Sequence, residues 1–148
     1  MKFLIADDAG VMRKIISRAL IELNALPENI VEAENGKQAV EEAHKHSFSL
    51  IFMDWNMPEM LGIDAVAAIR AAGIKSPILM VTTEGEKANV VRAIQTGATN
   101  YLVKPFSPDD IKEKITQLIG PIPVQTPQDA ALAKAQALDL ERGKVTLE

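Results

Sequence analysis

Five polar side chains directly follow short apolar runs of the sequence: Asp7, Asp8, Asp54, Thr82 and Lys104. Taken singly, each has an ordinary explanation as a helix cap, a turn residue or a surface charge. Polar side chains that suit one site stand at the ends of four separate apolar runs, which is much less expected by chance. We therefore interpret them as parts of one site.

The donor atoms of these side chains indicate the chemistry of that site. Adjacent carboxylates repel one another, so one of them takes up a proton or the group recruits a cation. The chain has no cysteine and only two histidines, which excludes a thiolate site and disfavours an imidazole zinc site. Oxygen donors with room for water favour magnesium. Magnesium and a lysine neutralise phosphoryl oxygens while a carboxylate attacks in line, so the pattern predicts an aspartyl phosphate.

The apolar runs predict five buried strands, over Phe3 to Ala6, Ile30 to Ala33, Leu50 to Met53, Ile78 to Val81 and Tyr101 to Val103. Segments with helical periodicity alternate with them, and Gly73, Gly97 and Gly120 stand where helices should end. This alternation favours a parallel sheet covered on both faces, a doubly wound α/β domain ending near Gly120. Ligands of such sheets bind beyond the carboxyl ends of the strands, where the polar side chains stand.

Residues 121–148 are predicted to lie outside this domain. Pro121, Pro123 and Pro127 favour a linker, and residues 128–142 are alanine-rich without a continuous apolar stripe. We expect a proline-containing linker followed by a C-terminal extension that forms at most a frayed helix.

Four motifs, in chain order, resemble those of response-regulator receiver domains: Asp7-Asp8, Asp54-Trp55-Asn56-Met57-Pro58, Thr82 and Lys104-Pro105-Phe106. The resemblance covers residues 1 to about 120. Four residues are closer still to the single-domain receivers of chemotaxis, namely Trp55, Asn56, Glu84 and Tyr101. The resemblance implies a flavodoxin-like fold with strand order 2-1-3-4-5. It also implies a phosphorylation-dependent switch that catalyses only its own phosphorylation and dephosphorylation.

The resemblance also implies a role for each site residue. Asp54 would accept the phosphoryl group, Asp8 would bind magnesium directly and Asp7 would hold it through water. Asp54 and the backbone carbonyl of Asn56 would complete the metal ligands. Thr82 would donate its hydroxyl to the phosphoryl group. Lys104, which is expected to precede a cis peptide bond, would pair with another phosphoryl oxygen.

A switch and a partner surface are further implications of the resemblance. Tyr101 resembles the aromatic residue that moves when Thr82 is drawn inward, although an ordinary half-buried strand tyrosine fits the pattern equally well. The partner surface would lie on the fourth helix, fifth strand and fifth helix, with the candidates Val90, Ile94, Tyr101, Val103, Phe106 and Lys114. Leu61 departs from the chemotaxis receivers, which have an acidic residue there.

Charge and composition indicate the class of partner. The formal net charge is -4 and no basic cluster is present, which disfavours a grip on nucleic acid. No apolar stretch is long enough to span a bilayer, so we expect a cytoplasmic protein without membrane insertion. The resemblance implies a histidine kinase as phosphodonor and a downstream target protein, either a motor switch or another effector.

Other functions fit the sequence less well or stay open. A flavodoxin-like electron carrier would need a phosphate-binding loop after the first strand, where Asp7 and Asp8 would repel a phosphate. A phosphatase or mutase would need an acid two residues after the nucleophile, where Asn56 stands. A receiver at the front of a larger regulator, with residues 121–148 leading to an effector, stays open.

Overall fold

The chain forms a five-stranded parallel sheet in the order β2-β1-β3-β4-β5. The computed structural model describes residues 1–83, 85 and 87–124. The strands are β1 (Phe3–Ala6), β2 (Ile30–Ala33), β3 (Leu50–Asp54), β4 (Ile78–Thr82) and β5 (Asn100–Val103). The predicted fold and strand order are confirmed. β3 and β4 each extend one residue past the apolar run, so Asp54 and Thr82 are the last residues of their strands.

The helices alternate with the strands as predicted. They are α1 (Gly10–Glu22), α2 (Gly36–Lys45), α3 (Gly62–Ala71), α4 (Lys87–Thr96) and α5 (Pro108–Ile119), and a short 3-10 helix spans Pro27–Asn29. α5 begins with a capping box, in which the Ser107 side chain accepts from the Asp110 amide and the Asp110 side chain accepts from the Ser107 amide. The predicted stops are confirmed, since α3, α4 and α5 end just before Gly73, Gly97 and Gly120.

Alternating side chains of the strands build a separate core on each face of the sheet. On one face, Leu4, Ile51 and Met80 pack with the apolar sides of α2, α3 and α4. On the other face, Phe52 and Leu79 belong to the core formed with α1 and α5. The central strands β1, β3 and β4 are therefore buried along their whole length.

Packing against the core continues past α5. The Ile122 side chain is only 5% exposed and packs in the core beneath α1 and α5. The Asn24 side-chain amide donates a hydrogen bond of 3.2 Å to the Ile122 carbonyl oxygen. Residues 125–148, on which the predicted extension falls, lie outside the described residues, as does Glu84. The division of the chain at residue 120 stays a prediction.

Among the residues that the structure describes, no helix combines the length and the apolar character needed to cross a bilayer.

The burial of Ile122 predicts a loss of stability when its side chain is shortened. We expect Ile122→Ala to lower the free energy of unfolding by about 2 kcal/mol, at the low end for a buried isoleucine because the residue lies in the segment after α5 rather than in a central strand. Val124→Ala is the control, since Val124 is 57% exposed and its loss should change stability by less than about 0.5 kcal/mol. Urea unfolding measures both. Equal effects would show that Ile122 contributes no core packing.

Candidate functional site

The strand order and register bring the predicted site residues to one edge of the sheet. β1 lies beside β3, with Ala6 opposite Met53, so Asp7 and Asp54 emerge side by side. β5 lies beside β4, and the Lys104 backbone amide donates a hydrogen bond of 2.7 Å to the Thr82 carbonyl oxygen. The peptide bond from Lys104 to Pro105 is cis, as the resemblance implied.

Lys104 bridges the two buried carboxylates of the site. Its Nζ atom lies 3.3 Å from Oδ2 of Asp7 and 3.3 Å from Oδ1 of Asp54. Asp7 is 1% exposed and Asp54 is 7% exposed, whereas Asp8 faces solvent. Because removal from water disfavours a charged group, two such carboxylates require a cation close by.

Burial changes the acidity of Asp54. Desolvation, and after it the repulsion from Asp7, raise the pKa of the Asp54 carboxyl from 3.8 to about 6, while Lys104 opposes the shift. Asp54 is therefore mainly ionised at neutral pH, but at a free-energy penalty that a further cation would relieve.

The donor set fits a hard cation. Asp7, Asp8 and Asp54 each offer a carboxylate oxygen, and these oxygens lie within 4.8 Å of one another. Lys104 supplies one positive charge against these three carboxylates. Oxygen ligands with one solvent-facing side suit magnesium, which retains part of its hydration shell. Asn56 is exposed in the loop that follows β3, and its backbone carbonyl is a further oxygen donor.

Two glycines that sequence reasoning did not single out shape this loop. The Gly62 amide donates a hydrogen bond of 2.8 Å to the Trp55 carbonyl oxygen. A Cβ atom on Gly62 would overlap the Asp54 carbonyl oxygen, and one on Gly36 would overlap that of Met60. The available signal was a glycine at the start of a helical segment, where glycine disfavours the helix and often marks a close backbone approach.

The predicted switch residues lie on the same face of the sheet. Thr82 is 2% exposed and lies opposite Val103, while Met80 lies opposite Tyr101. Met80 and Tyr101 both pack against the core of α2, α3 and α4. Side chains two residues apart on a strand point to the same face, so Thr82 shares its face with Met80. Because Met80 lies opposite Tyr101, Thr82 and Tyr101 are on the same face of the sheet.

The predicted partner surface is only partly assembled by direct contacts. Lys114 places its Nζ atom 5.8 Å from the centre of the Tyr101 ring and 3.4 Å from Oδ1 of Asn100. Ile94 is 43% exposed on α4, whereas Val90 and Val103 are half-buried. Phe106 packs against the core of α1 and α5, on the face away from the Tyr101 core.

Comparisons with known proteins agree with this architecture. Residues 3–116 match the family described as the response regulator receiver domain. The chain is similar to a protein named chemotaxis protein CheY1 from Helicobacter pylori, with 43% identity over 123 residues that cover 81% of this chain and 98% of that relative.

Solved structures give the same result. The chemotaxis response regulator CheY4 of Vibrio cholerae has a TM-score of 0.73 and 33% identity, covering 79% of this chain and 97% of that one. The receiver domain of the sensor histidine kinase PA1611 from Pseudomonas aeruginosa has a TM-score of 0.71 and 27% identity, covering 80% of this chain and 97% of that one. That structure is described as holding a magnesium ion in its active site cleft.

The raised pKa of Asp54 predicts a pH dependence of stability in metal-free buffer. Between about pH 3.8 and about pH 6 the folded chain holds a proton on Asp54 that the unfolded chain has lost. The contribution of Asp54 to stability is thus complete below the unfolded value and is lost as the pH rises through the folded value. The stability of Asp54→Asn relative to the wild type should therefore increase from about pH 4 to about pH 7.5.

Urea unfolding at a series of pH values, in the presence of a chelator, measures this difference. Asp64→Asn is the matched control, because Asp64 is exposed on α3. A stability difference between Asp54→Asn and the wild type that stays constant or falls with rising pH contradicts the expectation.

Proposed function

Since this chain belongs to the response regulator receiver family, we propose that it is a two-component signalling switch that accepts a phosphoryl group on Asp54. The observation that supports this most is the buried Asp54 carboxylate at the end of β3, with the Lys104 ammonium 3.3 Å away and two further aspartates beside it. A carboxylate nucleophile held next to cationic groups is what formation of an aspartyl phosphate requires.

The carboxylates of Asp7, Asp8 and Asp54 and the backbone carbonyl of Asn56 are the proposed magnesium-binding groups. Asp8 is exposed and suited to direct binding, whereas Asp7 is engaged by Lys104 and by the Ala9 amide and would act through water. When bound, magnesium supplies positive charge that neutralises the phosphoryl oxygens. The magnesium described for the PA1611 receiver supports this assignment.

The proposed reaction is a transfer from a phosphohistidine of a histidine kinase. A carboxylate oxygen of Asp54 attacks the phosphorus, the oxygen–phosphorus bond forms as the nitrogen–phosphorus bond breaks, and the departing imidazole takes a proton from solvent. Lys104 already contacts Asp54, so its ammonium is close to the oxygens of the arriving group. The Thr82 hydroxyl, at the end of the neighbouring strand, donates to another of these oxygens.

Chemotaxis is the proposed process. The Helicobacter pylori and Vibrio cholerae relatives are both named as chemotaxis proteins, and the former is covered almost completely. The proposed partners are a histidine kinase as phosphodonor and a downstream target such as a motor switch protein, and the proposed location is the cytoplasm. The acidic net charge of -4 supports protein partners rather than nucleic acid.

The proposed signal passes from Thr82 to Tyr101. Thr82 and Tyr101 face the same side of the sheet on neighbouring strands, so inward movement of Thr82 frees space beside the Tyr101 ring. Inward movement of the Tyr101 ring would break its contact with Lys114 and alter the surface of α4, β5 and α5. Val90, Ile94, Val103 and Phe106 are the other proposed residues of this surface. Ile94 is exposed, whereas Val90, Val103 and Phe106 are partly buried. An exposed apolar group near charges suits transient binding.

Removal of the nucleophile tests the proposed reaction. Asp54→Asn should fail to form a stable phosphoryl adduct with acetyl phosphate and magnesium, because an amide cannot act as the attacking carboxylate. Intact-mass spectrometry detects the adduct, and Asp64→Asn, an exposed aspartate of α3, should be phosphorylated like the wild type. A wild-type level of adduct on Asp54→Asn would rule out the assignment.

The single tyrosine gives a direct test of the switch. With 3-fluorotyrosine incorporated at Tyr101, magnesium and beryllofluoride should shift the fluorine resonance of the wild type. Thr82→Ala should lose most of this shift, because the hydroxyl that couples the two residues is gone. Thr83→Ala is the control, since Thr83 is exposed, and it should keep the shift.

Emission of Trp55, the neighbour of Asp54, checks in each variant that beryllofluoride has bound. A full fluorine shift in Thr82→Ala, or no shift in the wild type after binding, contradicts the coupling of Thr82 to Tyr101.

A further inference from the structure

Arg13 joins the loop after β1 that carries Asp7 and Asp8, called the acidic loop below, to the edge strand β2. Its Nη1 atom donates a hydrogen bond of 2.7 Å to the backbone carbonyl oxygen of Asp7. Its Nε atom lies 2.9 Å from Oε1 of Glu32 on β2, and its Nη2 atom lies 3.8 Å from Oε1 of Glu34. The Arg13 side chain is 15% exposed, so the guanidinium is held between these groups rather than extended into solvent.

The carbonyl that Arg13 holds belongs to the peptide unit between Asp7 and Asp8. Orientation of this unit sets the direction in which the backbone leaves β1, and with it the relative placement of the two carboxylates. On the other side of Asp8, the Ala9 amide donates a hydrogen bond of 2.8 Å to Oδ1 of Asp7. Within the described chain, no side chain caps α1 at Ala9, so Arg13 is the side chain that ties this turn to β2.

The place of Arg13 in its helix is itself unusual. It stands close to the N-terminus of α1, where the helix dipole disfavours a cation. A planar guanidinium can donate in several fixed directions at once, and here the acceptors are a backbone carbonyl and a carboxylate on another strand. These contacts give a physical reason for an arginine at a position that electrostatics alone disfavours.

We propose that Arg13 is a positioning residue for the cation site: by clamping the Asp7–Asp8 peptide unit to Glu32, it holds the acidic loop in the conformation that binds magnesium. This inference rests on the proposed function, because it assumes that Asp7 and Asp8 bind the metal. Groups outside the ligand set that orient the ligands typically change metal affinity by about 10- to 100-fold when removed.

The sign of the effect separates positioning from simple electrostatics. Arg13 is a positive charge beside a cation site, so its removal strengthens the attraction for magnesium if only Coulomb forces act. Positioning predicts the opposite, a weaker affinity. Arg13→Lys keeps the charge, but its single ammonium cannot span the Asp7 carbonyl and the Glu32 carboxylate as the guanidinium does.

Magnesium titration calorimetry on the full 148-residue chain is the test. Arg13→Met should raise the dissociation constant about 10-fold, and Arg13→Lys should raise it by a smaller factor. Arg18→Met is the matched control, because Arg18 lies on the same helix but is 83% exposed and forms an ion pair with Glu22 one turn along the helix. Its dissociation constant should equal that of the wild type.

A metal-free measurement reports on the loop itself. Amide hydrogen exchange, followed by NMR, should accelerate at Ala9 in Arg13→Met, since the loop that holds this amide against Asp7 loosens. The Ile51 amide, which donates to the Pro77 carbonyl at the amino ends of the central strands β3 and β4, should exchange as in the wild type. General destabilisation would accelerate both amides.

Asp8→Ala separates failure of this inference from failure of the proposed function. If Asp8→Ala weakens magnesium binding while Arg13→Met binds as tightly as the wild type or more tightly, the positioning role is wrong and the metal site stands. If Asp8→Ala has no effect, the proposed metal site itself is wrong. Should Arg13→Met not fold, Arg13→Lys decides, and a wild-type dissociation constant for it overturns the inference.

Discussion

Burial of two like charges side by side is the constraint on which the site depends. Asp7 directly follows β1, Asp54 ends the adjacent β3, and both are almost fully removed from water, so burial and the nearby Asp7 raise the free energy of the ionised Asp54 carboxylate. Lys104 compensates part of this by contacting both carboxylates at 3.3 Å. Under the proposed function, the remaining negative charge attracts magnesium and, with magnesium bound, the site accepts a phosphoryl group.

The rest of the fold holds the two buried carboxylates of Asp7 and Asp54 in place. The core strands are buried along their length, and the two helical layers leave the carboxyl ends of β1, β3 and β4 facing the same crevice. The loop after β3 returns so closely that Gly62 leaves no room for a Cβ atom next to the Asp54 carbonyl. Arg13 restrains the loop after β1 in a comparable way, through a side chain instead of a close backbone approach.

Much of the fold and of the site was predictable from the sequence, because short stretches of neighbouring residues carry the signals. The apolar runs predicted all five strands, and because parallel strands end at one edge, they also predicted that Asp7, Asp54, Thr82 and Lys104 would meet. Arg13, Gly36 and Gly62 were not predicted, since their importance comes from atoms distant in sequence. The burial of Ile122 was not predicted either, because it depends on packing with core residues distant in the sequence.

We propose that the acidic crevice accepts a phosphoryl group only together with magnesium. Trp55, the single tryptophan, is 7% exposed and adjoins Asp54, so its emission reports on the site. The measurement is an ordered titration of the metal-free chain with beryllofluoride and magnesium. We expect no change in emission with beryllofluoride alone, a saturable change with magnesium, and a further change when beryllofluoride is added after magnesium. A full change in emission with beryllofluoride in the absence of magnesium would show that phosphoryl binding at this site does not depend on the metal, and no change in the presence of magnesium would contradict the proposal.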